Sequence, residues 1–101
     1  MTIEFERSGG FAGITQRYSV SLDTLAEEDR RKLTELIANA HFFDLPATIR
    51  ASTGADRFQY KIAINSDQGT HQVLVDQGVA PAELQSLIDW LQAASRSARQ
   101  R

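Results

Sequence analysis

Apolar and polar residues alternate in four segments of this chain, and apolar residues repeat at helical spacing in two others. In residues 2–7, Ile3, Phe5 and Arg7 alternate with Thr2, Glu4 and Glu6, which is the two-residue period of a half-buried strand. The same alternation returns in residues 14–22, 57–64 and 70–76. The pattern predicts two β-hairpins, one closed by a glycine-rich loop at residues 8–13 and one by a turn at residues 66–69.

Two amphipathic helices are predicted near residues 25–40 and 81–94. Their inward stripes are Leu33, Leu36, Ile37 and Ala40 in the first, and Leu84, Leu87, Ile88 and Leu91 in the second. Thr24 and Glu27 have the spacing of a capping box, which places the start of the first helix beside them. Residues 47–55 show no period and are expected to form a long loop. Leu36, Ile62 and Leu87 are predicted core residues.

The elements follow the order ββαββα, which predicts an α+β fold. We expect a two-layer sandwich in which a four-stranded antiparallel sheet carries both helices on one face, because that arrangement buries every apolar stripe. Residues 1–94 are expected to form a single domain, and residues 95–101 a basic, flexible C-terminal tail.

Composition narrows the class of protein. The chain has 101 residues, no cysteine and a net charge of −2. Without its last six residues, the remaining body holds 8 basic and 13 acidic residues, a net charge of −5 that disfavours nucleic-acid binding. No apolar run approaches the length of a membrane span, and the first residues do not resemble a secretory signal. We expect a cytoplasmic protein.

The residues that carry most enzyme chemistry are sparse. His41 and His71 fall on different predicted elements, so no metal-ligand spacing is formed, and neither serves a nucleophilic serine. His41 is expected near a helix end and His71 facing solvent. The carboxylates of residues 27–29 suit a helix start. The sequence therefore predicts no catalytic site, no cofactor and no metal, and binding is the favoured class of function.

The segment Ser-Gly-Gly-Phe-Ala-Gly at residues 8–13 has two interpretations. It holds three of the six glycines of the chain around Phe11. In the first interpretation, Phe11 packs into the end of the sheet and the glycines merely permit the turn. In the second, the loop is a narrow finger that presents Phe11 to a partner, since glycine lets the backbone adopt positive φ and approach another chain closely.

The chain resembles the emfourin family, small bacterial protein inhibitors of thermolysin-like zinc metallopeptidases such as protealysin. The sharpest shared motif is residues 8–13, within IEFERSGGFAGITQRYSVSLDTL, and FFDLP and the closing amphipathic helix are also similar. The resemblance implies an inhibitor, encoded beside its peptidase, that is a monomer when free. The binding residues expected from the loops are Ser8, Gly9, Gly10, Phe11, Ala12 and Gly13, with Arg50 as a rim contact and Asp56 at a flanking loop. The alternative is a non-catalytic adaptor for an unrelated protein partner.

Overall fold

The computed structural model of the chain describes residues 1–9, 15–50, 58–67 and 69–99. Its strands are β1 (Thr2–Gly9), β2 (Gln16–Ser21), β3 (Thr48–Ile49), β4 (Phe58–Ser66) and β5 (Gly69–Asp76), and its helices are α1 (Glu27–Asn39) and α2 (Ala82–Arg99). Short 3₁₀ turns at Leu22–Thr24 and Phe42–Asp44 flank α1. Both predicted hairpins are present, β1 with β2 and β4 with β5.

Among the described residues, the sheet has five strands in the order β2-β1-β4-β5-β3. The prediction of an α+β fold with two helices holds, but the predicted four-stranded antiparallel sheet and the order ββαββα omit β3. The two hairpins join through the antiparallel β1–β4 pair, and β3 adds to β5 in the parallel direction. Strand β3 pairs Thr48 with Leu74 and Ile49 with Val75. It lies in the segment expected to be a loop, because two residues are too few to display a period.

Both helices cover the same face of the sheet, as predicted. The stripes of α1 and α2 join the inward residues of β1, β4 and β5 in one buried cluster, and the two helices pack against each other. Leu36 is 8% exposed, while Ile62 and Leu87 are fully buried, so the three predicted core residues are confirmed. The opposite face of the sheet carries mostly polar side chains and no helix among the described residues.

The helix ends differ from the predicted ones. Thr24 belongs to a 3₁₀ turn, where its Oγ1 donates to the carbonyl of Ser21 at 2.8 Å, and α1 begins after Ala26 with no side-chain cap. The capping box was therefore a wrong interpretation.

Helix α2 also runs beyond residue 94, because Ser95 lies one turn past Leu91 on the buried stripe and is itself 2% exposed. Residues 95–99 are helical in the structure, and the division into a 1–94 domain and a mobile tail stays a prediction. Within the described ranges, neither helix has the length and apolar character needed to cross a bilayer.

Candidate protein-binding end of the sheet

The two segments expected to bind a partner leave the sheet at the same end. Strand β1 finishes at Gly9, which is paired with Phe58 at the start of β4, and Arg50 directly follows β3. We call this the loop end. The opposite end, where Met1 and the β4–β5 hairpin lie, is called the turn end. The strand order thus brings the two loop exits, which are the points where the chain leaves β1 at Gly9 and β3 at Arg50, to one edge of the sheet.

The predicted site residues that the structure describes lie along this edge in two places that are not in contact with each other. Ser8 and Gly9 are half-buried at the end of β1, and Arg50 is exposed after β3. Strands β4 and β5 lie between β1 and β3. With about 4.8 Å between neighbouring strands, the two exits are about 14 Å apart. Gly10, Phe11, Ala12, Gly13 and Asp56 lie outside the described residues.

Gly9 has a backbone conformation that favours glycine. Its φ is 111°, in the positive region that residues with a side chain rarely adopt. The residue still pairs with Phe58 across β1 and β4, so the sheet holds this backbone conformation in place. The glycine is therefore needed at the base of the loop.

Hydrogen bonds secure the start of β4 to the end of β5. The backbone N–H of Gln77 donates to the carbonyl of Phe58 at 2.9 Å, and the N–H of Phe58 donates to Oε1 of Gln77 at 3.3 Å. One position along, Nε2 of Gln59 donates to Oδ1 of Asp76 at 3.2 Å. The point where residues 51–57 rejoin the sheet is consequently as well anchored as the exit at Gly9.

Helix α2 is tied to the loop end by a polar contact above an aromatic pair. Nε2 of Gln92 donates to the hydroxyl of Tyr60 at 3.2 Å, and the ring of Tyr60 stacks on Phe5 with 6.0 Å between centroids. A half-buried hydroxyl with a partner avoids the cost of an unpaired polar group. The helix layer and the sheet layer are therefore coupled close to both loop exits.

Arg7 is an arginine on the helix-facing side of the sheet, two residues before Gly9. Its guanidinium carbon lies 3.9 Å from the centre of the Phe58 ring, a cation–π contact worth about 0.5–2 kcal/mol. Its Nε is buried and has no hydrogen-bond partner among the described residues, a situation that costs about 1–3 kcal/mol. Arg7 shares the strand parity of Ile3 and Phe5, but no sequence signal indicated its contact with Phe58.

The histidines do not contribute to the loop end. His71 was predicted to face solvent, but it is half-buried on the helix-facing side, with Nε2 2.9 Å from the carbonyl oxygen of Leu45 and its ring edge-on to Phe42. This prediction was wrong because the strand parity of Val73 and Val75 extends to residue 71. His41 is exposed just after α1 with φ of 50°. Within the described ranges, no three histidine or acidic side chains come close enough to hold a metal ion.

An exposed apolar surface lies at the turn end. Met1 is 42% exposed and Phe43 46% exposed, and both line one shallow depression with His71. The sequence showed only an irregular apolar connection at residues 41–46 and did not indicate which phenylalanine is exposed. Phe42 is buried and Phe43 is not.

The fold is a small α+β domain in which both helices cover one face of the sheet, and β1 and β3 both finish at the same end of the sheet. The profile of the Emfourin family matches residues 5–92, and the chain belongs to that family. A solved structure of Emfourin (M4in) from Serratia proteamaculans, described as an M4 family peptidase inhibitor, is similar at 22% identity and a TM-score of 0.48. That match covers 85% of this chain and 83% of the other. No curated protein matched the chain.

Proposed function

We propose that the chain is a protein inhibitor of an M4-type, thermolysin-like zinc metallopeptidase and that it binds with its loop end. The observation that carries this proposal is membership of the Emfourin family over residues 5–92. A protein of that name is described as an inhibitor of M4 family peptidases.

The shape of the loop end supports a mechanism in which the inhibitor blocks the active-site cleft. Two segments leave a rigid edge about 14 Å apart, a spacing suited to contacting both rims of an open cleft. The loop of residues 8–13 contains no histidine, cysteine or carboxylate, the usual protein ligands of zinc. The inhibitor therefore fills the cleft without capturing the metal, and Phe11 enters an apolar subsite of the peptidase.

The remaining contacts follow from this orientation. Ser8 and Gly9 form the base of the finger, Gly10, Ala12 and Gly13 let the backbone pass close to the peptidase, and Arg50 contacts the rim. Asp56 belongs to the flanking segment. The inhibitor acts as a monomer in the cytoplasm, where it protects the producing cell from premature proteolysis.

Titration of thermolysin with the purified protein, followed with a peptide substrate, tests the function. We expect stoichiometric inhibition by the wild type. Phe11→Ala should weaken inhibition by about 2 kcal/mol or more while leaving the melting temperature nearly unchanged, because a binding anchor contributes only in the complex. Phe43→Ala is the matched control, since it removes an exposed phenylalanine at the turn end and should inhibit like the wild type.

The opposite pair of results would refute the role of Phe11. If Phe11→Ala melts several degrees lower and still inhibits fully, Phe11 belongs to the core, and the contact surface shifts to residues 46–56. Absence of inhibition by the wild type would favour the adaptor function. The exposed pair Met1 and Phe43 at the turn end is the observation that favours this second candidate, because neighbouring exposed apolar side chains commonly mark protein contacts.

A further inference from the structure

Arg7 occupies a position where the fold calls for an apolar residue. It follows Ile3 and Phe5 on the inward side of β1, and both of those side chains are buried. An apolar side chain at residue 7 would need no hydrogen bonds, whereas Nε of the arginine finds no partner in the described part of the chain. Stability alone does not explain the choice of residue, and its place beside the loop exits suggests a role in binding.

The guanidinium has no acidic partner among the described residues. The nearest acid along the chain, Glu6, lies on the opposite sheet face, where it pairs with Arg17 at 3.4 Å and Lys61 at 3.5 Å. Asp76 also lies on that opposite face, next to Gln59. The helix-facing side of the loop end therefore presents an uncompensated positive charge in the described part of the chain.

Stacking on Phe58 gives this charge a defined orientation. A guanidinium held 3.9 Å from the centre of a ring has less rotational freedom before it binds anything, so less entropy is lost when a partner arrives. Its two terminal Nη groups form a planar fork that matches a carboxylate. The contact with the Phe58 ring therefore limits the orientations of the Arg7 guanidinium at the edge of the sheet.

We propose that Arg7, oriented by Phe58, is a peptidase-binding residue whose terminal Nη groups form a bidentate ion pair with a carboxylate on the rim of the bound peptidase. This inference rests on the proposed function and adds the chemistry of one specific contact to it. The contact is separate from Phe11, because it depends on charge rather than on an apolar subsite.

The test compares Arg7→Met with Arg31→Met as inhibitors of thermolysin at about 50 mM and about 500 mM NaCl. Both changes remove one positive charge, but Arg31 lies on α1, exposed and paired only loosely with Glu27 at 3.5 Å. We expect Arg7→Met to raise Ki at least about tenfold at low salt and less at high salt, since screening weakens the ion pair in the wild type. Arg31→Met should stay within about twofold of the wild type at both salt concentrations.

Two further variants separate binding from folding. Arg7→Met should melt no lower than the wild type, because methionine removes an unpaired buried donor. Arg7→Lys should recover only part of the inhibition, since an ammonium keeps the charge but lacks the planar fork. Phe58→Leu should weaken inhibition in the wild-type background and have little further effect in Arg7→Met. Each of the two changes removes the same interaction, the contact made by the oriented guanidinium of Arg7.

Several results would overturn the proposal. It fails if Arg7→Met inhibits within about twofold of Arg31→Met, or if its loss of inhibition is the same at both salt concentrations. It also fails if the effects of Arg7→Met and Phe58→Leu multiply fully, because the two residues would then act independently. If the wild type does not inhibit thermolysin, the proposed function fails first, and this is visible before any variant is compared.

Discussion

Gly9→Ala is the substitution whose outcome the geometry of the loop end specifies most fully. The residue holds φ at 111° while paired in the sheet, so a side chain there must either accept a strained backbone or turn the chain differently. Such strain costs about 1–3 kcal/mol. For a domain of this size, each kcal/mol lowers the melting temperature by about 4–8 °C. We therefore expect a melting temperature about 5–20 °C lower.

Gly69→Ala is a matched control at the turn end. Gly69 has φ of 126°, and an added Cβ would meet no atom within 4 Å, so its penalty comes from the backbone alone. The two variants should lose similar stability, measured by thermal and urea denaturation. Only Gly9→Ala should weaken inhibition of thermolysin, by about tenfold or more, because each tenfold corresponds to about 1.4 kcal/mol of lost binding. Equal inhibition by both variants would refute the argument that Gly9 directs the binding loop.

Two further predictions concern the core and the C-terminal residues. Leu87→Ala should lower the free energy of unfolding by about 2–5 kcal/mol, measured by urea denaturation. Leu36→Ala should lower it by an amount nearer the lower limit, because Leu36 retains 8% exposure. An unchanged urea midpoint for Leu87→Ala would contradict the packing described. Removal of residues 96–101 should leave Ki within about threefold, because three arginines at the end of a chain add only weak, salt-screened attraction. A larger loss at physiological salt would assign this segment to the interface.

Strand periodicity was sufficient to predict the two hairpins and the side of the sheet that the helices cover. Phe58, Tyr60, Ile62 and Ile64 occupy every second position of β4, so a one-residue error in the register would have moved all four side chains to the opposite face of the sheet. The helix stripes were equally informative, as the burial of Leu36 and Leu87 shows. Where a segment spans several periods, local pattern and tertiary burial agree.

Short or ambiguous segments were predicted less well. Strand β3 has two residues and exists because Ala47, Thr48 and Ile49 meet the edge of β5, a long-range contact with no local signature. The spacing of Thr24 and Glu27 fits a capping box, but the hydroxyl of Thr24 instead bonds to the carbonyl of Ser21. Helix α2 extends past residue 94 because Ser95 faces the core, and a serine gives no apolar signal.

The candidate site was likewise predictable where a local motif exists and not where it depends on long-range contacts. The motif at residues 8–13 indicated the family and one loop, but the shared edge with Arg50 depends on the strand order. The stacking of Arg7 on Phe58 joins residues that are 51 positions apart in the sequence. A residue of that kind is visible only after the register of β1 against β4 is known.

Thiol protection in the complex tests most directly whether the loop end faces the peptidase. The chain has no cysteine, so a single introduced thiol reports on one place. Thr15→Cys lies at the loop end and Asp67→Cys at the turn end, and both positions are exposed. If the loop end faces the peptidase, saturating thermolysin should slow maleimide labelling of Thr15→Cys by about tenfold or more and leave Asp67→Cys unaffected, because a protein interface excludes solvent from the groups it covers. Protection of Asp67→Cys with free labelling of Thr15→Cys would contradict this orientation.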